Sequence, residues 1–314
     1  MIIARDVRHL RPVCTPSSPG MAHIFARYRA DHDAVSFFRN KFHAAGSETI
    51  CAYRVRRVVY FDVQMGDCCC KIAIFALRKI LAINRMAYIL NIETSTEVCS
   101  VAIGCDGDIV FHREDYRGQT HATALGVFVD EALGYADSRG EKLDAVSVSR
   151  GPGSYTGLRI GVSMAKGICF GRDIPLISIP TLETLCVMPL LYHDLPDDAL
   201  LCPMIDARRM EVYAAVYDRA LNMKRGISAD VVAGDSYREF LDAGPVYFFG
   251  NGAAKCKDTL VHANARFIDG ITPLAKSMSL LSERKFMNGE FEDTAYFEPF
   301  YLKEFVASKP KKIL

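Results

Sequence analysis

The segment from Ser149 to Gly161, with the sequence SRGPGSYTGLRIG, has the composition of a loop that could bind an anion. It follows the alternating apolar run LDAVSVS and precedes a stretch of helical period, so it joins a predicted strand to a predicted helix. The first turn of a helix presents backbone N–H groups that bind phosphate well. Gly153 and Gly157 permit close backbone approach. The pattern indicates either a phosphate-binding loop or an ordinary strand–helix turn.

Two common phosphate-binding sequences do not fit this loop. A Walker A loop requires Lys after its second glycine, where this chain has Leu158. The dinucleotide fingerprint GxGxxG requires glycine at the position that Thr156 occupies. Neither a P-loop nor a Rossmann site is therefore predicted here.

Other side chains that could do chemistry are sparse. Glu93 and Asp206 could form a carboxylate pair, although both lie in predicted hairpin turns, where acidic residues are common. His121 stands alone at a helix start, so no metal site is predicted, and no Ser-His-Asp or Cys-His arrangement is evident. The cysteines that follow the first 85 residues lie mostly in apolar runs, which is typical of buried thiols in a reducing compartment.

Charge is distributed unevenly along the 314 residues. Residues 1–85 carry 14 Lys or Arg and 6 Asp or Glu, a net charge of +8, and the remainder carries −7. Since the first 85 residues show no sustained period, we expect them to be poorly ordered and to derive from translated sequence upstream of Met86. A separate basic nucleic-acid module is the alternative. No apolar run reaches the length of a membrane span.

The full thirteen-residue segment closely resembles the signature of the TsaB (YeaZ) family, subunits of the bacterial machinery that makes threonylcarbamoyladenosine in tRNA. The resemblance extends from Met86 to about Lys303. The other matching blocks are YILNIETSTEVCSVAI at 88–103, PLISIPTLETL at 175–185, DARRMEVY at 206–213, FGNGAAK at 249–255 and PFYLK at 299–303.

The elements that must position these blocks form two halves, 86–196 and 197–314. The first is predicted as strands at 88–93, 98–104, 108–113, 143–149 and 175–178, with helices at 120–138, 157–171 and 181–192. The second is predicted as a hairpin around residues 206–209, helices near 236–243 and 272–287, a strand at 246–249 and a final strand near 299–305. This order is that of the actin/Hsp70-like (ribonuclease H-like) α/β fold. The resemblance implies two tandem units, each with a mixed sheet flanked by helices.

The resemblance implies that ATP binds between the two units of that fold. In this chain the positions that correspond to the ATP-binding loops depart from the pattern that binds a nucleotide. They are Glu93, Thr94 and Ser95 in the first hairpin, Gly153 in the signature loop, Asp206 in the second hairpin, and Gly250 and Gly252. The turn at 206–209 has no glycine, and its arginines would crowd a phosphate. We therefore expect no catalytic residue, cofactor or metal in the isolated chain.

What the residues offer instead is a surface for partners. Small and apolar positions on the helices at 120–138 and 157–171 predict an intermolecular face containing Ala124, Phe128, Gly161 and Ala165, and a bulky residue at Ala165 should then weaken association without affecting stability. The alternative is that these residues pack on the chain's own sheet. In the family, these helices pack against two helices of TsaD.

The resemblance implies a noncatalytic, cytoplasmic subunit that supports a TsaD-like enzyme in threonylcarbamoylation of tRNA adenosine 37. ATP and metal are then expected on that partner, together with a TsaE-like ATPase, indirect contact with tRNA and a possible weak homodimer. The alternatives are a degenerate actin-fold ATPase or kinase relative and a glycoprotease.

Overall fold

The structure is a computed structural model that describes residues 87–118 and 120–303, together with five strands within the first 64 residues. The chain divides into two compact units, Met1–Arg85 and Met86–Leu314.

The first unit contains one mixed sheet. Its strands pair in the order β1-β2-β5-β4-β3. They are Ile2–Ala4 (β1), Met21–Arg27 (β2), Phe38–Ala44 (β3), Glu48–Val55 (β4) and Val58–Gln64 (β5). Segments such as VVYFDVQ are rich in β-branched and aromatic residues, which favour extended pairing. The poor order expected of residues 1–85 stays a prediction. The origin of these residues in upstream sequence stays a prediction.

The second unit begins with a five-stranded lobe in the order β10-β9-β6-β7-β8. The first three strands pair antiparallel, and β9 and β10 are added in parallel to β6. The strands are Tyr88–Glu93 (β6), Cys99–Cys105 (β7), Asp108–Asp115 (β8), Ala145–Gly151 (β9) and Leu176–Pro180 (β10). The helices are His121–Ser138 (α1), Tyr155–Arg172 (α2) and Thr181–Tyr192 (α3). The predicted order of elements in this half is confirmed.

A second lobe repeats the same topology, with strand order β13-β12-β11-β14-β15. Three antiparallel strands are followed by two parallel ones, which is the arrangement of the first lobe. The elements are Leu200–Asp206 (β11), Glu211–Tyr217 (β12), Met223–Val231 (β13), Arg238–Ala243 (α4), Val246–Phe249 (β14), Ala265–Ile268 (β15) and Ala275–Asn288 (α5). The tandem actin-like fold expected from the resemblance is therefore present.

Apolar residues bury both faces of each sheet. In the first lobe, α1 and α2 cover one face and α5 covers the other, where Met278 and Leu281 meet Ile89 and Ile177. Helix α3 packs Leu182 and Leu185 among residues of the second sheet. Because α5 follows the second lobe in sequence but packs on the first, the predicted boundary at 196/197 does not separate two contiguous lobes.

Three details of the second half differ from the sequence prediction. Strands β13 and β15 were not predicted, and residues 299–303 form no strand, although one was predicted near 299–305; residues 304 and 305 lie outside the described part of the chain. The six cysteines described are buried and free, as expected of small apolar residues. No helix in the described ranges is long and apolar enough to cross a bilayer.

Candidate functional site

The signature loop packs directly on the turn between β6 and β7. The N–H of Ser154 donates to the carbonyl of Ser95 at 2.6 Å, and the hydroxyl of Thr94 donates to the carbonyl of Gly157 at 2.8 Å. A Cβ added to Gly153 would lie 2.3 Å from the Ser95 carbonyl oxygen, and one added to Gly157 would lie 2.1 Å from that of Thr94. The glycines therefore allow two backbone segments to meet, and the space between them is filled by the chain.

Glu93 lies beneath this turn and is fully buried. One carboxylate oxygen accepts from the N–H of Ser95 at 2.6 Å, and the other has no partner among the described residues. Burial raises the pKa of Glu93 above its ordinary value, while the hydrogen bonds from Ser95 act in the opposite direction.

The turn of the second lobe, which contains Arg208 and Arg209, is held by contacts with Lys255. Asp206 is exposed, and its carboxylate forms an ion pair with Lys255, whose ammonium group also donates to the carbonyls of Arg209 and Glu211. Arg208 and Arg209 both adopt positive φ, at 71° and 51°. Glu93 and Asp206 thus have separate partners and do not form a carboxylate pair.

Gly250 and Gly252 lie where the chain passes close to β11. A Cβ on Gly250 would lie 2.3 Å from the carbonyl oxygen of Met204, and one on Gly252 would lie 2.8 Å from the carbonyl carbon of Ile205. Like those of the signature loop, these glycines are explained by contacts within the fold.

Between the two lobes is a cleft of about 1030 Å³. The segment at 300–303 runs along it: the N–H of Phe300 donates to the carbonyl of Arg150 at 2.7 Å, the ring of Tyr301 lies 4.8 Å from that of Tyr155, and Lys303 pairs with Glu211. The cleft brings together the signature loop, the two hairpin turns and this C-terminal segment. Its wall includes Ser95, Gly153, Asp206 and His121 of the predicted positions.

His121 is the first residue of α1, and its side chain is buried. No group of three or more His, Cys, Asp or Glu suited to a metal ion occurs in the part of the chain that the structure describes.

The predicted partner face of α1 and α2 is wrong for three of its four residues. Ala165 is fully buried in the core between the helices and the sheet, and Ala124 is buried in the same core. Gly161 faces inward, where a Cβ would lie 2.2 Å from the Thr94 hydroxyl. These residues are small because the helices approach their own sheet and turn closely, so Ala165→Leu would overpack the interior. Phe128 is half-buried against that core, and its contact with a partner stays a prediction.

An apolar groove lies instead on the outer side of these two helices. It is shallow and open to solvent, with a volume of about 760 Å³, and it is lined by residues that include Leu133 of α1 and Ile160, Met164 and Ile168 of α2. Gly167 also lines it, with no atom within 4 Å of an added Cβ. Sequence reasoning missed this stripe, although positions 160, 164, 167, 168 and 171 recur at helical spacing and could have revealed it.

Known proteins resemble this chain in sequence and in fold. A protein of Escherichia coli (strain K12) named "tRNA threonylcarbamoyladenosine biosynthesis protein TsaB" is 30% identical over 227 residues, which are 70% of this chain and 96% of the relative. This chain belongs to the TsaB family. The Bacillus subtilis (strain 168) protein of the same name is 33% identical over 144 residues, covering 46% of this chain and 59% of that protein.

A second family model also matches part of the chain. The sequence model described as "TsaD: tRNA N6-adenosine threonylcarbamoyltransferase" matches residues 115–243. The solved structure of YeaZ from Pseudomonas aeruginosa superposes with a TM-score of 0.60 at 23% identity and covers 69% of this chain and all of its own. This superposition supports the TsaB/YeaZ fold of the second unit.

Proposed function

We propose that this TsaB-family chain is a noncatalytic subunit of the enzyme that makes threonylcarbamoyladenosine in tRNA, and that it supports a TsaD-like catalytic partner. The names of its relatives in Escherichia coli and Bacillus subtilis support the pathway. The filled junction between the signature loop and the Thr94–Ser95 turn supports the noncatalytic role, because backbone groups that would hold phosphate are engaged within the chain.

The observation that carries a docking role is the outer groove of α1 and α2. Its lining is mostly apolar and includes Gly167 and Gly171, and small residues let a second helix approach closely. Two cations stand at its edges: Arg159 donates to the Tyr155 hydroxyl, and Arg172 pairs with Asp137 at 3.7 Å. A helix pair with an apolar ridge matches this surface.

The remaining parts of the proposal concern the assembly. ATP and metal would reside on the TsaD-like partner, a TsaE-like ATPase would join the complex, and tRNA would be reached through it, in the cytoplasm. A weak homodimer through the same groove would compete with the catalytic partner. The alternatives, a degenerate ATPase or kinase relative and a glycoprotease, have no specific support in the geometry of the described residues.

Replacing Gly167 tests the docking surface. Gly167→Leu has room in the isolated fold and improves helix propensity, so stability should be unchanged or higher by up to about 1 kcal/mol. The leucine fills the groove, so association with the TsaD-like subunit should weaken by about 1–3 kcal/mol, the usual cost of overpacking, which is about fivefold to over a hundredfold. Titration calorimetry and thermal unfolding of the full chain measure the two effects.

The matched control is Gly226→Leu, the same change in the strand β13 of the other lobe, where an added Cβ also meets no atom within 4 Å. It should leave association unaffected. Equal binding by the wild-type chain and Gly167→Leu would show that the partner does not occupy this groove.

A further inference from the structure

A cluster of aromatic and cationic side chains lies at the surface beside the start of α2. The ring of Tyr155 lies 4.8 Å from that of Tyr301. The Arg159 guanidinium lies 5.4 Å from the centre of the Tyr155 ring and donates to its hydroxyl at 3.1 Å. The ring of Phe300, the neighbour of Tyr301, has the Arg150 guanidinium 5.9 Å from its centre. We call these five residues the aromatic platform.

The outer part of the aromatic platform is open to solvent. Tyr301 is 36% exposed and Phe300 is 37% exposed, and Arg159 is exposed as well. Arg159 and Arg150 lie against the rings of the platform, and within the described ranges neither forms an ion pair with an acid. The platform therefore combines accessible ring surface with positive charge.

The segment that carries Tyr301 is already held in place by other contacts. Phe297 packs on the core of the first lobe, and the Lys166 ammonium donates to two backbone carbonyls of the segment, at 3.0 and 3.1 Å. The N–H of Phe300 donates to the carbonyl of Arg150 at 2.7 Å. Since these contacts fix the backbone, the exposed ring of Tyr301 is available to bind a partner.

Charge near the aromatic platform favours an anionic partner. Glu298 is an exposed acid of the same segment, and Glu211 is paired with Lys303. After Lys303 the sequence continues with three Lys and one Glu in residues 304–314, a net charge of +2, although these residues lie outside the described part of the chain. The platform arginines and this basic sequence stand out against the charge of −7 that residues 86–314 carry as a whole.

The aromatic platform adjoins the outer groove of α1 and α2. Arg159 lines that groove and also contacts Tyr155 of the platform. A partner that docks in the groove therefore lies next to the platform, and a substrate held between the two subunits can contact both.

We propose that the aromatic platform binds unpaired nucleotides of an RNA substrate. Bases stack on Tyr301 and Phe300, and Arg159 pairs with a phosphate. Proteins recognise unpaired bases by stacking them on aromatic rings and arginine planes, whereas a duplex does not offer its base faces. The choice of RNA rests on the proposed function, in which the complex modifies a tRNA. The contact of this chain with the tRNA is then direct.

The experiment measures binding of a fluorescently labelled RNA hairpin with an unpaired loop to the full chain without its partner, by fluorescence anisotropy at about 50 mM salt. A blunt-ended RNA duplex of equal length is the comparison. We expect the hairpin to bind with a dissociation constant of about 1–100 µM and the duplex to bind more weakly. Tyr301→Ala should weaken hairpin binding about fivefold or more, through the loss of one stacked base. Arg159→Gln should reduce the slope of log affinity against log salt by about 0.7, the contribution of one phosphate contact.

Two matched controls change the same residue types outside the aromatic platform. Tyr296 is 84% exposed in the same segment, and the Arg139 guanidinium lies 4.8 Å from the centre of the Tyr135 ring at the end of α1. Tyr296→Ala and Arg139→Gln should bind the hairpin as the wild-type chain does. Thermal unfolding shows whether each variant is folded. Because Arg159 is exposed, Arg159→Gln remains a test if Tyr301→Ala folds poorly.

The proposal is overturned if the hairpin does not bind at up to about 100 µM, the weak limit of non-specific nucleic-acid binding. It is also overturned if hairpin and duplex bind equally, or if the platform variants bind as their controls do; the platform then only packs the C-terminal segment on α2. Because no catalytic subunit is present, these outcomes are independent of docking in the groove. The Gly167→Leu experiment can fail while the hairpin binds, and the reverse also holds.

Discussion

At the scale of single residues, Glu93 shows how a residue in a nucleotide-loop position can become structural. Its carboxyl is fully buried and accepts from the N–H of Ser95, which fixes the turn on which the signature loop packs. Because burial disfavours the ionised carboxylate, it raises the pKa of Glu93. Folding stability should therefore depend on pH through this residue.

We expect Glu93→Gln to remove that dependence. The folded-state pKa lies above the ordinary value, so the wild-type chain loses stability as the pH rises from about 4.5 through the folded pKa, by about 1.4 kcal/mol for each pH unit that separates the two pKa values. Glutamine retains an acceptor for the Ser95 N–H. The thermal midpoint of the variant should rise relative to that of the wild type over this range.

Glu97→Gln is the control, because Glu97 lies in the same turn but is exposed. A constant difference between Glu93→Gln and the wild type at all pH values would contradict a folded-state pKa of Glu93 that is raised by burial.

The residue types alone could identify which helix positions are small, but not whether each position faces the interior or the outer groove. Gly161, Ala165 and Gly167 lie on one helix and are equally small, yet the first two face the interior and the third faces the outer groove. A helical period predicts that one stripe is buried; which stripe is buried depends on the side of the sheet on which the helix lies.

At the scale of elements, the glycine-rich loop joins β9 to α2 and packs against the β6–β7 turn. Ser154 caps α2 by accepting from the N–H of Gly157 at 3.2 Å, and the N–H of Ser154 bonds the turn. Removing the space that a glycine provides should therefore affect folding of the isolated chain.

Gly157→Ala should destabilise the chain, because its Cβ would lie 2.1 Å from the Thr94 carbonyl oxygen and the backbone must shift. A cost of about 1–3 kcal/mol is typical of overpacking. Gly167→Ala, in the same helix, meets no atom within 4 Å and should instead stabilise by up to about 1 kcal/mol. Denaturant unfolding of both variants measures the difference, and an equal effect of the two would show that the loop does not pack on the turn.

The predictable elements are those whose pattern is local and continuous. Strand β6 and helix α3 begin and end where the sequence predicts, because each is a strongly apolar run with a clear boundary. Strands β13 and β15 were not predicted, and both lie at an edge of the sheet. Strand β13, MKRGISADV, contains charged residues that interrupt the apolar pattern, and strand β15, ARFI, has only four residues. The PFYLK segment was predicted as a strand from its apolar residues, but these contact the signature loop through Phe300 and Tyr301.

At the scale of the whole molecule, the two lobes of the second unit are held together by a helix that follows one lobe in sequence and packs on the other. Helix α5 follows the second sheet and returns to the first, where the N–H of Ala275 donates to the Ser100 hydroxyl at 2.9 Å. A Cβ on Gly104 would lie 2.0 Å from the hydroxyl of Ser279 in that helix, so the contact is close. The resulting cores lie within Met86–Leu314.

We therefore expect residues 86–314 to fold and to bind the catalytic partner without residues 1–85. The unit boundary falls between Arg85 and Met86. The relative from Escherichia coli aligns over 96% of its own length with 70% of this chain, so the family fold needs no segment of comparable size in addition.

Thermal unfolding should give midpoints for 86–314 and for the full chain within about 2–4 °C, the change that 1 kcal/mol produces in a domain of this size. Calorimetric titration with the TsaD-like subunit should give equal affinities, because Gly167 and the groove around it lie in the second unit. Aggregation of 86–314, or a large loss of affinity in a folded 86–314 fragment, would instead assign residues 1–85 a structural or binding role.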